Sequence, residues 1–173
     1  GVSCVNALSS RLECRVRRDN KIYEIAFERG KTVEKLHEVG TYKGSATGTS
    51  VTYWPDPEIF ETIEVDYETI AERMREIAFL NKNLKITLVD ERTLDKRSDE
   101  FCYSGGIVDY VKFLNNGKNT LNAKPVYFEA EGEGASVEVA MQWSDNYSTN
   151  SVLAFANNIN TIEGGTHTDG FKT

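Results

Sequence analysis

Phe155-Ala-Asn-Asn-Ile-Asn-Thr-Ile-Glu-Gly-Gly-Thr-His-Thr-Asp-Gly-Phe171 is the most informative stretch of the sequence. Its polar residues are mainly amides, hydroxyls and glycines, with few of the charges that usually cover a solvated surface. Gly164 and Gly165 allow the backbone to bend, or to approach a neighbouring segment, where a Cβ would interfere. Two interpretations follow: an ordinary Asn/Gly turn cluster, or a junction between structural elements that is held by side-chain hydrogen bonds.

The same stretch resembles the transducer signature of the B subunits of bacterial DNA gyrases. The matching residues are Asn157-Asn158-Ile159-Asn160-Thr161, followed by Glu163-Gly164-Gly165-Thr166-His167. Further blocks resemble this family in the same order, at residues 1–9, 53–60, 78–82 and 105–107, so the resemblance covers essentially the whole chain. The paralogous topoisomerase IV subunits share much of the pattern. Their transducer block is usually more basic where this chain has Ile159-Asn160-Thr161-Ile162, which favours the gyrase family.

The resemblance implies an α+β protein in two pieces. Residues 1–103 correspond to the second half of a GHKL-type ATPase α/β sandwich. Residues 104–173 correspond to the start of a transducer domain with a ribosomal-protein-like α/β fold. The charge-rich residues 95–100 are predicted to form a turn and are the best candidate for the region between the two domains.

Hydrophobic periodicity, taken by itself, also predicts a mixture of helices and strands. Helical spacing predicts helices directly after Gly1, from Tyr67 to about Leu80 with Asp66 as the N-cap, and at residues 107–114. Alternation predicts strands at residues 12–16, 23–27, 49–53, 84–88, 126–130, 137–143 and 152–156. A helix followed by several strands in one block is typical of an α+β domain.

Composition and charge limit the function classes. The 173-residue chain has a net charge of −7, with 39 % hydrophobic and 27 % charged residues, as in an ordinary globular protein. From residue 101 onward it carries four Lys or Arg against eight Asp or Glu. Because neutralising DNA phosphates requires clustered Lys and Arg, this chain is not expected to form a major DNA-binding surface.

Localisation is predicted from what the sequence lacks. No apolar run approaches the roughly 18 residues of a membrane span, and the first residues do not form a signal-peptide pattern. Cys4, Cys14 and Cys102 show no metal-ligand spacing, and an odd number of cysteines suits a reduced compartment. A cytoplasmic protein without membrane association is therefore expected, and the sequon Asn146-Tyr147-Ser148 is interpreted as chance.

The resemblance assigns five residues to an ATP site. Gly1-Val2 is the part of the family's Gly-x-His-Gly-Val-Gly phosphate lid that this sequence contains, and Ser3 is grouped with it. A glycine before any helix also leaves N–H groups free at the positive end of the helix dipole, so that feature alone is weakly specific. Thr49 matches the threonine that recognises adenine together with an aspartate and a water. Val51 matches a valine that lines the same pocket.

Arg18 belongs to a local cluster of basic residues. The resemblance matches it to the arginine at the mouth of the family's ATP pocket, which coumarin antibiotics contact. Its neighbours Arg15 and Arg17 are interpreted as the solvated face of a hairpin. Arg18 is therefore predicted to lie at an inhibitor-pocket rim and to take no part in the chemistry.

The resemblance places the catalytic machinery outside this sequence. An ATPase needs a general base, a magnesium ligand and charge stabilisation at the γ-phosphate. In the family the glutamate base, the magnesium-holding asparagine and the pocket aspartate lie upstream of the matched segment, and the transducer lysine lies downstream. No catalytic residue and no metal ligand is therefore assigned here, and the Mg²⁺ that accompanies ATP is expected to be held upstream.

Glu163 and His167 allow two interpretations. A lone histidine beside glycines suggests a site, and a carboxylate four residues away suggests an acid–base pair. The favoured interpretation is structural, with His167 capping or bridging a turn at the junction between domains.

The implied function is that of part of an ATP-dependent type II DNA topoisomerase. ATP binding would order the lid, two B subunits would close on each other, and the transducer would relay that state to the DNA gate. The implied partners are the A subunit in an A₂B₂ heterotetramer, a second B subunit, and DNA bound by the complete enzyme. Two alternatives stay open: a fragment of a topoisomerase IV B subunit, and a non-catalytic interaction module. The isolated chain is expected to be inactive.

Overall fold

The structure is a computed structural model that describes residues 1–145 and 152–173. The sequon Asn146-Tyr147-Ser148 lies outside the described residues, as does the residue before the predicted strand at 152–156. Contacts between residues divide the chain into two compact units, Gly1–Val65 and Asp66–Thr173. Among the described residues, no helix is long and apolar enough to cross a membrane.

The first unit is one short helix and a four-stranded antiparallel sheet. Its elements are α1 (Val2–Ala7), β1 (Ser9–Arg18), β2 (Lys21–Glu28), β3 (Lys31–Thr41) and β4 (Gly48–Pro55), and the strand order is β3-β2-β1-β4. Asp19 and Asn20 join β1 to β2 with φ angles of 53° and 60°, the left-handed pair that a two-residue hairpin turn requires. The predicted helix after Gly1, the hairpin and the strand before Pro55 are confirmed, whereas β3 was not predicted.

The register of this sheet separates an apolar face from a charged one. Leu12 lies opposite Phe27 on β2 and Tyr53 on β4, and Cys14 lies opposite Ile25 and Val51, so these side chains share one face. The other face carries ion pairs, including three from Arg11 to Glu13, Glu28 and Glu34. The alternation that predicted the strands is thus the alternation between these two faces.

The second unit combines helices with two-stranded antiparallel ribbons. Its elements are α2 (Tyr67–Leu80), β5 (Ile86–Asp90), β6 (Arg97–Phe101), α3 (Ile107–Leu114), β7 (Val126–Gly132), β8 (Ala135–Met141), β9 (Phe155–Ala156), β10 (Ile159–Asn160) and α4 (Thr166–Lys172). The ribbons pair β5 with β6, β7 with β8, and β9 with β10. Asp66 caps α2 as predicted, because its Oδ1 accepts the Thr69 backbone N–H at 2.8 Å.

The core of the second unit lies between α2, α3 and the β5–β6 ribbon. Phe79 is 1 % exposed and stacks on Tyr103 and Tyr110, with ring centroids 3.7 and 4.8 Å away. Phe113 of α3 adds a tilted ring at 5.5 Å from Phe79. The domain boundary near 103/104 stays a prediction.

Two sequence predictions are wrong in detail. Residues 97–100, predicted to be part of a turn at 95–100, instead belong to β6 (Arg97–Phe101), which pairs antiparallel with β5. A two-stranded ribbon leaves charged side chains in solvent, and Arg97 there forms an ion pair with Glu68, so its charges do not prevent a strand. The strand predicted at 152–156 is confined to Phe155–Ala156, because Asn157 and Asn158 turn the chain back into β10.

Candidate functional site

Thr49 and Val51 lie on the apolar face of the first unit. Register places Thr49 opposite Val16 and Val51 opposite Cys14 on β1. Thr49 is exposed, Val51 is 45 % exposed, and the Thr49 hydroxyl forms no hydrogen bond with any residue that the structure describes. An apolar side chain beside a free hydroxyl on one sheet face can receive a flat ring with a polar edge.

Gly1, Val2 and Ser3 form the start of α1 and are exposed. The Gly1 carbonyl accepts the N–H groups of Cys4 and Val5 at 3.0 and 3.2 Å, while the first N–H groups of a helix have no partner inside it. The Gly1–Val2–Ser3 backbone therefore offers donors with a partial positive charge to an anionic ligand. α1 has only two turns, so this feature acts only together with the rest of a site.

One groove shows on which face α1 lies. A groove of about 350 Å³ is lined by Cys4, Val5 and Leu8 of the α1 region and by Tyr53 of β4. Tyr53, Val51 and Thr49 follow one another on the same face of β4. The structure thus brings the helix that starts at Gly1 onto the face that carries the other two predicted ATP contacts.

Arg18 ends β1 on this same face, two residues beyond Val16. Its side chain is 74 % exposed, and its Nε lies 3.6 Å from Asp19 Oδ2. The neighbouring Arg17 points to the opposite face and places its guanidinium 5.1 Å from the centre of the Tyr42 ring. Arg18 is therefore at the margin of the Thr49 face, a position that fits a rim.

The sequence did not predict an ion pair between Arg29 and Asp56, next to the C-terminal end of α1. Asp56 is 1 % exposed, its Oδ2 lies 2.6 Å from Arg29 Nε, and its Oδ1 accepts the Glu58 N–H at 3.0 Å. Arg29 Nη2 also donates a longer hydrogen bond to Asp56 Oδ1, at 3.4 Å. The only signal in the sequence is an acidic residue between Pro55 and Pro57. Nothing in the sequence points to a partner 27 residues earlier.

His167 bridges a turn, as the favoured interpretation predicted. Its Nε2 lies 3.0 Å from Thr161 Oγ1, and Thr161 Oγ1 donates its only hydrogen to the Ala154 carbonyl at 3.0 Å. Nε2 must therefore carry the hydrogen in the His167–Thr161 bond. A Cβ at Gly165 would lie 2.8 Å from the imidazole, which explains the second glycine of the pair. In the described residues Glu163 forms no ion pair with His167.

The Asn157-Asn158 turn is attached to α2. The Asn158 carbonyl accepts a hydrogen bond from Arg73 Nη2 at 3.2 Å, and Asn158 Nδ2 donates to Asn81 Oδ1 at 3.1 Å. Phe155, just before the turn, lies 6.4 Å from the Tyr110 ring of α3. Hydrogen bonds thus hold this stretch against α2, and a ring contact joins it to α3. These contacts are those expected of a junction between structural elements and not of a free turn.

Comparisons with known proteins find a matching family, similar sequences and similar solved structures. A family model described as DNA gyrase B matches residues 106–173. The DNA gyrase B subunit of Haloferax volcanii is 49 % identical over 175 aligned positions, which cover 100 % of this chain and 27 % of that protein. The crystal structure of the 43K ATPase domain of Thermus thermophilus gyrase B, in complex with an aminocoumarin, is similar with a TM-score of 0.84 and 36 % identity. The alignment covers 96 % of this chain and 45 % of that one.

A topoisomerase IV ATP-binding domain is also similar. The Francisella tularensis domain, solved with a small-molecule inhibitor, has a TM-score of 0.80 and 27 % identity, and the alignment covers 99 % of this chain and 45 % of that one. The fold is therefore of the class represented by the ATPase domains of type II topoisomerase subunits. Within this class, the chain belongs to the DNA gyrase B family. It spans about a quarter of the length of the Haloferax relative.

Proposed function

We propose that this chain is part of the ATP-operated region of a DNA gyrase, in which ATP binding closes two B subunits and drives negative supercoiling of DNA. The observation that carries the proposal is the similarity of 96 % of the chain to a gyrase B ATPase domain, at a TM-score of 0.84. The 49 % identity to a gyrase B protein over the full chain supports the same function.

Within that function, Gly1, Val2 and Ser3 contact the phosphates of ATP, and Thr49 and Val51 contact its adenine ring. Backbone N–H groups at the start of α1 suit an anion. The exposed Thr49 hydroxyl and the Val51 side chain on one sheet face suit a planar base with a polar edge. Arg18 lies at the rim, where it contacts inhibitors. The aminocoumarin bound to the Thermus relative makes that class of inhibitor the natural probe.

The residues of this chain bind and orient the nucleotide, and the proton transfer of hydrolysis belongs to other parts of the protein. Mg²⁺ supplies charge neutralisation at the phosphates when it is bound. Within the described residues, no group of three or more His, Cys, Asp or Glu side chains is arranged to hold a metal ion. The Mg²⁺ ligands are proposed to lie in another segment of the protein, as the resemblance to the gyrase family implies.

The proposed partners are a second B subunit, the A subunit in an A₂B₂ heterotetramer, and DNA gripped by the complete enzyme in the cytoplasm. The second unit relays nucleotide state through the Asn157-Asn158 turn, which is attached to α2 by Arg73 and Asn81. Such a relay requires two sites and two global states of the enzyme.

The test uses the full-length B subunit reconstituted with its A subunit on relaxed plasmid DNA. Negative supercoiling that requires ATP is the expected result. A folded and assembled enzyme that leaves the plasmid relaxed in the presence of ATP overturns the proposal.

A second candidate function is that of part of a topoisomerase IV. It is favoured by the TM-score of 0.80 to a topoisomerase IV ATP-binding domain, although the identity there is 27 % against 36 % for the gyrase domain. The same reconstituted enzyme separates the two: preferential decatenation of linked circles without negative supercoiling identifies topoisomerase IV.

A further inference from the structure

We infer that the Arg29–Asp56 ion pair is a brace that positions α1 for nucleotide binding, so that both are positioning residues for the lid. This inference rests on the proposed ATP site, because α1 is the helix that begins with Gly1, Val2 and Ser3. Neither residue lies in the set assigned to contact ATP.

Arg29 and Asp56 each form a backbone hydrogen bond with the residues that directly follow α1. On one side, the Arg29 N–H donates to the Ser9 carbonyl at 3.0 Å. On the other side, the Asp56 N–H donates to the Leu8 carbonyl at 3.1 Å. Leu8 and Ser9 directly follow α1, so both hydrogen bonds fix the position of the chain between α1 and β1.

The turn that carries Arg29 also packs directly on the helix. Arg29 and Gly30 form the two-residue loop between β2 and β3, with φ angles of 47° and 79°. A Cβ built on Gly30 would lie 3.5 Å from the Ala7 Cα, so the loop runs beside the last residue of α1, and a side chain at position 30 would touch the helix. A displacement of the loop toward α1 would therefore press on the helix.

The side chains connect these two sides. Asp56 is almost completely buried, and a buried carboxylate is costly unless it is paired. Arg29 supplies the opposite charge and also contacts Glu58 Oε2 at 2.7 Å, which ties the segment after β4 to the β2–β3 loop. Ser9 adds a third fixed point, since its hydroxyl donates to the Val5 carbonyl at 2.6 Å.

The ion pair affects nucleotide binding through the fraction of molecules in which α1 is correctly positioned. If the brace is lost, α1 occupies the binding-competent position for a smaller fraction of the time. The apparent affinity then falls by that fraction, whereas saturating nucleotide restores the competent state. A positioning role therefore raises KM for ATP and leaves kcat unchanged. Loss of folded enzyme lowers the apparent kcat and leaves KM unchanged.

The test measures ATP hydrolysis by the full-length B subunit with its A subunit. The double variant Arg29→Ala/Asp56→Asn removes the pair without leaving a buried charge unpaired. We expect its KM for ATP to rise about tenfold, with kcat within about twofold of the wild-type value. Arg29→Lys, which keeps the positive charge, is expected to lie between the wild type and the double variant.

Arg15→Ala is the matched control, because it removes an exposed ion pair to Glu24 from the same sheet and contacts no part of α1. Its KM and kcat are expected to equal those of the wild type. An unchanged KM in a folded double variant overturns the inference, as does a fall in kcat alone. If the double variant does not fold, Arg29→Lys decides, because it keeps a positive charge beside the buried Asp56, and an unchanged KM there overturns the inference. A wild-type enzyme without ATPase activity instead contradicts the proposed function.

Discussion

Asp90 gives a prediction at the residue scale. Arg92 donates to Asp90 through its side chain and its backbone N–H, which lowers the pKa of the Asp90 carboxyl from 3.8 to about 2. A pKa depressed by folding stabilises the folded state above pH 3.8, and this contribution is lost as the pH falls toward 2. In Arg92→Ala the side-chain bond is lost, so the Asp90 pKa should move back toward 3.8.

Carboxyl-carbon NMR of Asp90 during an acid titration measures this change. Lys96→Ala is the control, because Lys96 lowers the pKa of the neighbouring Glu91 through its side-chain bond and does not contact Asp90. An Asp90 that titrates identically in the wild type and in Arg92→Ala would show that Arg92 is not the cause of the shift.

The sequence predicts contacts between residues that are close along the chain, but not contacts between distant ones. Asp66 is identifiable as an N-cap because its hydrogen-bond partner, the Thr69 N–H, lies three residues away. The resemblance, not periodicity, singles out Thr49 and Val51, and the strand register places both on one face. Arg29 and Asp56 cannot be paired from the sequence, because only the fold brings together residues from two separate turns.

At the scale of elements, the sequence predicted most helices and strands but not how they are held. Periodicity gave α2, α3 and the β7–β8 hairpin because their apolar faces are regular. It missed β6, since the charges of Arg97, Asp99 and Glu100 are typical of a turn and yet remain exposed or half-buried on a two-stranded ribbon. It also could not show that Asn158 is bound to α2, because that contact joins residues 77 positions apart.

The Asn157-Asn158 turn gives a prediction at the element scale. Asn157 has a φ angle of 49°, a conformation that costs residues with an ordinary Cβ about 1 kcal/mol. Asn157→Gly should therefore leave the β9–β10 hairpin intact. Asn157→Ala should lower the local opening free energy of the hairpin by about 1 kcal/mol.

Native-state hydrogen exchange at the Thr161 N–H, which donates to the Ala154 carbonyl at 2.9 Å, reports that opening. Asn116→Ala is the control, because Asn116 also lies in a turn but does not itself have a positive φ angle. If Ala and Gly at position 157 protect Thr161 equally, the turn does not depend on its left-handed conformation.

At the scale of the whole molecule, the net charge of the chain bears on whether it can bind DNA. The net charge of −7 predicts that these 173 residues do not bind DNA, although the gyrase family acts on it. Fluorescence anisotropy of a labelled duplex at about 0.1 M salt should show no binding by this chain, and binding by the assembled enzyme should serve as the positive control. Salt-dependent binding by the chain alone would reveal a basic surface that the sequence does not predict.

The central claim is that this chain supplies contacts to a nucleotide site in a gyrase B protein, and one calorimetric titration tests it most directly. The full-length B subunit is titrated with Mg²⁺ and a non-hydrolysable ATP analogue, in the wild-type, Thr49→Ala and Thr52→Ala forms. Thr52 lies on the same strand but on the opposite face, opposite Glu13. Loss of one hydrogen bond should weaken binding by Thr49→Ala about five- to tenfold, with Thr52→Ala unchanged. Equal affinities for all three folded proteins would contradict the claim.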